Sequence, residues 1–135
     1  MREILFKAKR LDNGEWISGS LVCFAGGERA ILPSDSKAFF SKNKGFICCD
    51  TCQDVDPSTV CQYTGLTDKN GKKIFEGDIL KGKTRQLYTV EWGNGIAGFL
   101  TRGTGVLTSP CMNTGTMLGY EVIGSIHDGE GGQHE

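Results

Sequence analysis

Long hydrophobic runs, proline, histidine and a dominant charge are what this chain lacks. Its longest wholly apolar stretches are about five residues, such as Leu21 to Ala25, far short of the roughly 20 that a membrane-spanning helix needs. A membrane partner is therefore not expected. The opening Met1-Arg2-Glu3-Ile4-Leu5-Phe6-Lys7 breaks any apolar core with charge at once, unlike a secretory signal peptide. A cytoplasmic chain is expected on these grounds, and its 6 Cys then read as reduced thiols rather than a disulfide framework. A net charge of -1 does not predict a strong nucleic-acid binder on overall charge alone. His127 is a lone His on a terminal strand and His134 lies in a tail, so neither is placed to act as a general base. Proline occurs only at Pro33, Pro57 and Pro110, whereas 20 Gly are about twice the usual share of roughly 7%. Glycines spread between short apolar runs favour a β-rich protein with tight turns, and 135 residues suffice for one domain with a real core.

The apolar pattern is mostly period two. Ile4, Phe6 and Ala8 alternate with Leu5, Lys7 and Lys9, Asp12-Asn13-Gly14 turns the chain, and Glu15 to Phe24 reads as the return strand of a hairpin. A short third strand is expected at Ala30-Ile31-Leu32. A short helix or turn capped at Ser34 or Asp35 is expected over Ser34 to Lys42, then a strand from Gly45 to Cys49 and an acidic loop from Asp50 to Ser58. Gln62 to Leu80 reads as a turn-rich connector centred on Asn70-Gly71, a strong tight-turn signal. Gly77 to Lys81 and Leu87 to Trp92 read as strands around the basic loop Gly82-Lys83-Thr84-Arg85. Tyr88, Val90 and Trp92 are expected to form one buried stripe with Ile79, Val122 and Ile126. Gly93-Asn94-Gly95 turns, Ile96 to Thr101 returns, Gly103 to Gly115 is irregular, and Tyr120 to Ile126 closes the fold. The expected class is mainly β, β-rich α+β at most. One domain over 1–135 would hold an N-terminal hairpin lobe over 1–59, an SH3-like, partly open barrel over 60–127 and a flexible tail over 128–135.

Four stretches of the chain resemble the YopX family of phage and prophage proteins. Gln62-Tyr63-Thr64-Gly65-Leu66, Asp68-Lys69-Asn70-Gly71 and Glu76-Gly77-Asp78-Ile79 resemble the family's QYTGL-DKNG-IYEGDI core. Val55-Asp56-Pro57-Ser58-Thr59-Val60 resembles its VDPxTV lead-in, and Glu121 to His127 resembles its closing EVIGNIY strand, with Ser125 for Asn and His127 for Tyr. Arg2 to Ala8 resembles its opening, although Lys9 and Arg10 stand where members carry Trp and Asp. The resemblance implies a phage or prophage gene in a bacterial host, hence cytoplasmic expression. It implies no catalytic residues.

Several constellations invite chemistry. Cys48-Cys49-Asp50-Thr51-Cys52 contains one CxxC, with Cys61 nine residues on. Cys48, Cys49, Cys52 and Cys61 are therefore the candidate ligands of a thiolate zinc module. A structural zinc site ordinarily takes two such pairs, and buried Cys also packs as a small hydrophobe. Asp50, Asp54 and Asp56 around the pair disfavour a reactive thiolate. Gly93 to Gly98 satisfies GxGxxG but leads into Gly98, Gly103 and Gly105, where the helix of a nucleotide site should open. Asp68 to Lys72 starts like a calcium loop and then places Lys72 and Lys73 where a ligand and a glycine should stand. Glu76 and Asp78 could form an acid/base pair, but carboxylates capping a turn are the favoured reading.

Lys69, Lys72, Lys73, Lys81, Lys83 and Arg85 against Asp68, Glu76 and Asp78 give +3 over 68–85, and four acids without Lys or Arg give -4 over 121–135. With Tyr63, Phe75, Tyr88 and Trp92 nearby, these six basic residues are the candidates for a single-stranded nucleic-acid-binding face. No nucleophile–base pair is visible. The leading expectation is a non-catalytic accessory protein without a cofactor, which binds a phage or host protein or self-assembles into a homo-oligomer. A single-stranded nucleic-acid-binding barrel and the zinc module are the alternatives.

Overall fold

The structure is a computed structural model that describes residues 2–34, 39–41, 46–48, 52–84, 86–103, 112–113, 117 and 119–128, with backbone only at 39–41 and 46–48. It is mainly β, and the chain divides into two compact units, Ile4–Gln62 and Met1–Glu3 with Tyr63–Glu135. Of the expected tail over 128–135, Asp128 is described in a turn, and 129–135 lie outside the described residues.

In the unit Ile4–Gln62, β1 (Phe6–Lys9) pairs antiparallel with β2 (Trp16–Cys23), from Phe6 opposite Gly19 to Lys9 opposite Trp16. Gly14 takes φ 72 in the turn between them, and the Asn13 side chain accepts the Glu15 N–H at 2.9 Å. That conformation is one glycine adopts without penalty. β2 pairs with β3 (Arg29–Pro33), and β3 pairs with β6 (Gln53–Val55). β4 (Phe39–Ser41) and β5 (Phe46–Cys48) form a separate two-stranded ladder. Period-two alternation sends Phe6, Ala8, Ile17, Leu21 and Ile31 to one face, where Ala8, Ile31 and Val55 are fully buried and Val60 closes the cluster.

Two local expectations give way. Phe39–Ser41 is strand, not helix, while 35–38 lie outside the described residues. Gln53–Val55 is strand rather than loop, because its backbone completes the β3 edge and Val55 fills the core. The lead-in that follows is a latch on β1. Asp56 caps a 3-10 turn over Pro57–Thr59 and donates its N–H to the Lys9 carbonyl at 2.9 Å. The Thr59 hydroxyl accepts the Lys9 N–H at 2.9 Å and donates to the Asp56 carbonyl at 2.7 Å. Asp56, Pro57 and Thr59 therefore have backbone work to do.

β7 (Cys61–Thr67) belongs to both units. Cys61 and Gln62 pair with β1, and the rest lies in the second unit. There Tyr63 stands opposite Phe75 and Thr67 opposite Lys73 on β8 (Lys73–Phe75), with an irregularity between them where Gly65 takes φ 90. β9 (Asp78–Lys81), β10 (Leu87–Gly93), β11 (Gly98–Gly103) and β12 (Glu121–Ser125) make an antiparallel sheet in the order β11-β10-β9-β12. Its outer strands do not pair with each other, so among the described residues the expected barrel is an open sheet. Ile74, Leu80, Val90 and Met117 are buried at its core, and Tyr88, Phe99, Tyr120 and Val122 pack against them.

The expected stripe is only half right. Tyr88 and Val90 face the core, but the β9 residue across from Tyr88 is Leu80, so Leu80 is buried and Ile79 takes the other face. Trp92 and Ile126 are 44% and 47% exposed. Trp92 shares the core face of β10 but overhangs it, because β9 pairs with β10 only as far as Thr89 opposite Ile79. The Gly93–Gly98 segment is a hairpin turn with Ala97 at φ 51, and no helix opens there.

Candidate functional site

Among the described residues, the turn from Asp68 to Lys72 between β7 and β8 is densely hydrogen-bonded. Asp68 is 6% exposed, and one of its oxygens accepts the N–H groups of Asn70 at 2.8 Å and Lys72 at 2.9 Å. Its other oxygen accepts the Val122 N–H of β12 at 2.9 Å, 54 residues away. The Lys69 N–H donates to the Tyr120 carbonyl at 2.9 Å, and Gly71 takes φ 81 to close the turn. Burial alone would raise the Asp68 pKa. Donation from Val122, Lys72 and Asn70, with the Lys72 charge, outweighs it and holds the carboxyl below its ordinary value.

The second acidic position works the same way. Asp78 is 1% exposed and accepts the Phe75 N–H at 2.8 Å, while Gly77 takes φ 85, donates its N–H to the Val90 carbonyl and accepts the Ile126 N–H, each at 2.8 Å. Glu76-Gly77-Asp78 is therefore a turn with a structural carboxylate, not two carboxylates sharing a strand face. Asp128 adds a third cap, accepting the Ser125 N–H at 2.9 Å. Asp68 and Asp128 thus occupy outward N–H groups of β12, the outer strand of its sheet. Covering an edge in this way blocks strand addition there.

The lysines are dispersed around this framework. Lys69 pairs with Glu121 at 3.8 Å, and Lys81 stands across from the same Glu121 in the β9–β12 register. Lys73 pairs with Glu3 at 3.6 Å and lies 5.6 Å from the Tyr63 ring centroid. Lys72 and Lys83 are exposed, and Arg85 lies outside the described residues. The aromatics that would stack bases are not presented beside them. Tyr63 and Phe75 are buried against each other at 5.6 Å, and Tyr88 meets Tyr120 edge-on at 5.5 Å within the core. Burial, then the neighbouring Tyr88 charge and hydrogen bond, pushes the Tyr120 hydroxyl above its ordinary pKa. Trp92 is exposed but sits at the far end of β10 from Lys81, which stands opposite Leu87. Five strand residues put the two about 17 Å apart.

Of the four candidate cysteines, only Cys52 and Cys61 have described side chains. Cys61 is 1% exposed, and its Sγ lies 3.2 Å from the Thr59 carbonyl, while Cys52 is exposed. Cys48 is placed by its backbone alone and Cys49 lies outside the described residues. Among the described residues no group of three or more His, Cys, Asp or Glu side chains is placed to hold a metal ion. No helix of the described residues is long and apolar enough to cross a membrane.

Sequence reasoning missed Asp68 as the organiser of the block, although an Asp two residues before Asn-Gly is the pattern of a side chain that caps its own turn. It also missed the tip of the β10–β11 hairpin. There Trp92 meets the Phe99 ring edge-on at 5.0 Å, and Ile96 in the turn is 51% exposed.

Residues 5–130 match the family described as YopX protein. The chain belongs to the YopX family. No curated protein matches it. Among solved structures it is similar to protein EF1440 from Enterococcus faecalis, with a TM-score of 0.66 and 24% identity over 96% of each chain. At that identity the likeness establishes the shared fold. Neither the YopX family nor EF1440 is named for a catalytic activity.

Proposed function

We propose that this YopX-family chain is a phage- or prophage-encoded accessory protein of the bacterial cytoplasm. It acts without catalysis, by docking a phage or host protein on the tip of the β10–β11 hairpin. The observation that carries this reading is the exposure of Trp92 and Ile96, 44% and 51%, on a hairpin whose turn is held by Ala97 at φ 51. A large aromatic fixed against a second ring, with its outer edge in water, has the character of an interface anchor. The buried carboxylates lend support, since Asp68 and Asp78 are engaged with backbone N–H groups of turns. The dispersal of the lysines from exposed aromatic rings favours a protein partner over a nucleic acid.

The test places a photo-crosslinking amino acid at Ile96 in the chain expressed during infection. One protein should be captured in high yield, and Trp92→Ala should abolish its capture. Absence of any protein adduct would overturn the reading. So would single-stranded nucleic-acid binding at low salt that falls steeply as salt is added, which would instead assign the function to the lysine segment.

A further inference from the structure

Asparagine followed by glycine is a self-reactive step in any chain. The glycine carries no Cβ, so its nitrogen reaches the asparagine side-chain amide with little crowding. The sequence holds three such steps, Asn13-Gly14, Asn70-Gly71 and Asn94-Gly95. All three lie in connections between strands and are exposed at both residues. Beyond the chain neighbours, no atom stands within 4 Å of a Cβ built on Gly14, Gly71 or Gly95. Exposure and crowding therefore do not distinguish them.

Hydrogen bonding does distinguish them. The Gly14 N–H donates to the Arg10 carbonyl and the Gly71 N–H to the Asp68 carbonyl, each at 3.0 Å. The Asn13 side chain is held as well. Its amide donates to the Glu15 carboxylate at 3.1 Å, and its oxygen accepts the Glu15 N–H at 2.9 Å. At the third step the Ile96 N–H donates to the Gly93 carbonyl at 3.2 Å and so spans Asn94 and Gly95. Among the described residues neither the Gly95 N–H nor the Asn94 side chain makes a hydrogen bond. A nitrogen engaged as a donor must give up its bond before it can turn on the neighbouring side chain. That loss slows the attack about fivefold, the equivalent of ~1 kcal/mol.

We propose that Asn94-Gly95 is a self-modification site, at which the tip of the β10–β11 hairpin converts from a neutral turn to an acidic one ahead of the other two Asn-Gly steps. A base takes the proton of the Gly95 N–H, and the nitrogen attacks Cγ of Asn94. The N–Cγ bond forms, the Cγ–Nδ2 bond breaks, and Nδ2 takes back the proton and leaves as ammonia. Water then opens the cyclic imide at either carbonyl, giving an aspartyl or an isoaspartyl linkage. One water enters and one ammonia leaves overall, and nothing is oxidised.

Either product places a carboxylate two residues from both Trp92 and Ile96. The isoaspartyl form also adds a methylene to the backbone inside the ring closed by the Ile96–Gly93 bond. A charge that must shed water on docking opposes an apolar contact, so conversion silences the tip. That consequence rests on the hairpin-tip reading, whereas the chemistry at Asn94 does not.

The full chain is aged at mildly alkaline pH, and peptide mapping by mass spectrometry follows amide loss at each Asn. Labelling with an isoaspartyl methyltransferase reports the isoaspartyl form. In the folded protein Asn94 should be lost about fivefold or more faster than Asn13 or Asn70, and in urea the three rates should converge to within about twofold. Gly95→Ala, where the added Cβ meets nothing, should slow the loss at Asn94 and leave melting temperature unchanged. Equal rates in the folded chain overturn the proposal. So does an order that persists in urea, which would assign it to local sequence, or a loss indifferent to Gly95→Ala, which would mean direct hydrolysis of the amide. With the crosslinker at Ile96, aged parent should be captured less than aged Asn94→Gln, and equal capture overturns the silencing. Fast conversion in a chain that captures no protein even when fresh would sink the hairpin-tip reading and leave this site standing.

Discussion

Replacing Asp68 tests how the central block holds the second unit together. Asp68→Ala removes the acceptor for the N–H groups of Asn70, Lys72 and Val122 at once. Asn70 and Lys72 are exposed, so water replaces much of what is lost there, at roughly 0.5–1 kcal/mol each. The Val122 N–H lies in a half-buried strand, and leaving it unmatched costs about 1–3 kcal/mol. The total is about 2–5 kcal/mol, a large part of the ~5–15 kcal/mol that such a domain has available. In a chain of this size it should lower Tm by about 6–15 °C.

Asp68→Asn keeps the shape and separates packing from charge. Its amide oxygen still serves the turn, but its NH₂ then faces the Val122 N–H, two donors against each other. The pH dependence follows from the depressed pKa. A carboxyl whose folded pKa lies below its unfolded value stabilises above the unfolded value, about 4, and loses that contribution as pH falls through the folded one. Urea melts of parent and Asn variant should therefore show a constant gap from about pH 5 to 8 that narrows below about pH 4. An Ala variant within about 0.5 kcal/mol of the parent, no larger than surface-mutation scatter, would refute the clamp. A gap that ignores pH would refute its electrostatic part.

What could be read from the sequence follows from the range of the forces involved. The β1–β2 hairpin and the turns at Gly14, Gly71 and Gly77 were legible because alternation and left-handed glycines are local properties. β6 was not, since Gln53-Asp54-Val55 is too short and polar to show a pattern and is a strand only because β3 has an edge to complete. Asp68 looked like a failed metal loop, and the reason for its burial is Val122, 54 residues on. The Glu-Gly-Asp turn was read correctly as structural, since Asp78 reaches back only three residues to the Phe75 N–H. Whether an alternating strand's last apolar residue is covered depends on the length of its neighbour. No feature of β10 itself reveals that β9 stops pairing at Thr89.

Gly71→Val should cost about 1–3 kcal/mol, because φ 81 strains a β-branched residue even though no atom stands within 4 Å of its added Cβ; chemical denaturation checks it, and a variant as stable as the parent would refute the turn. Cys49→Ser with Cys52→Ser should leave Tm nearly unchanged, and stoichiometric zinc in the native protein by metal analysis would overturn that. Trp92 supplies the sharpest contrast between a residue that follows the core pattern and one that fills the core. Truncating a buried Trp costs about 3–5 kcal/mol. Trp92 is 44% exposed and leans on the Phe99 ring, 5.0 Å away. Trp92→Ala should therefore cost only about 1–2 kcal/mol, the ring–ring contact plus partial burial. Leu80→Ala, fully buried one strand away, should cost about 2–5 kcal/mol. In a Trp16→Phe background the Trp92 fluorescence should be quenched by acrylamide in the folded state. A loss above about 3 kcal/mol on truncation, together with unquenched emission, would return Trp92 to the core and remove the anchor on which the proposed docking function depends.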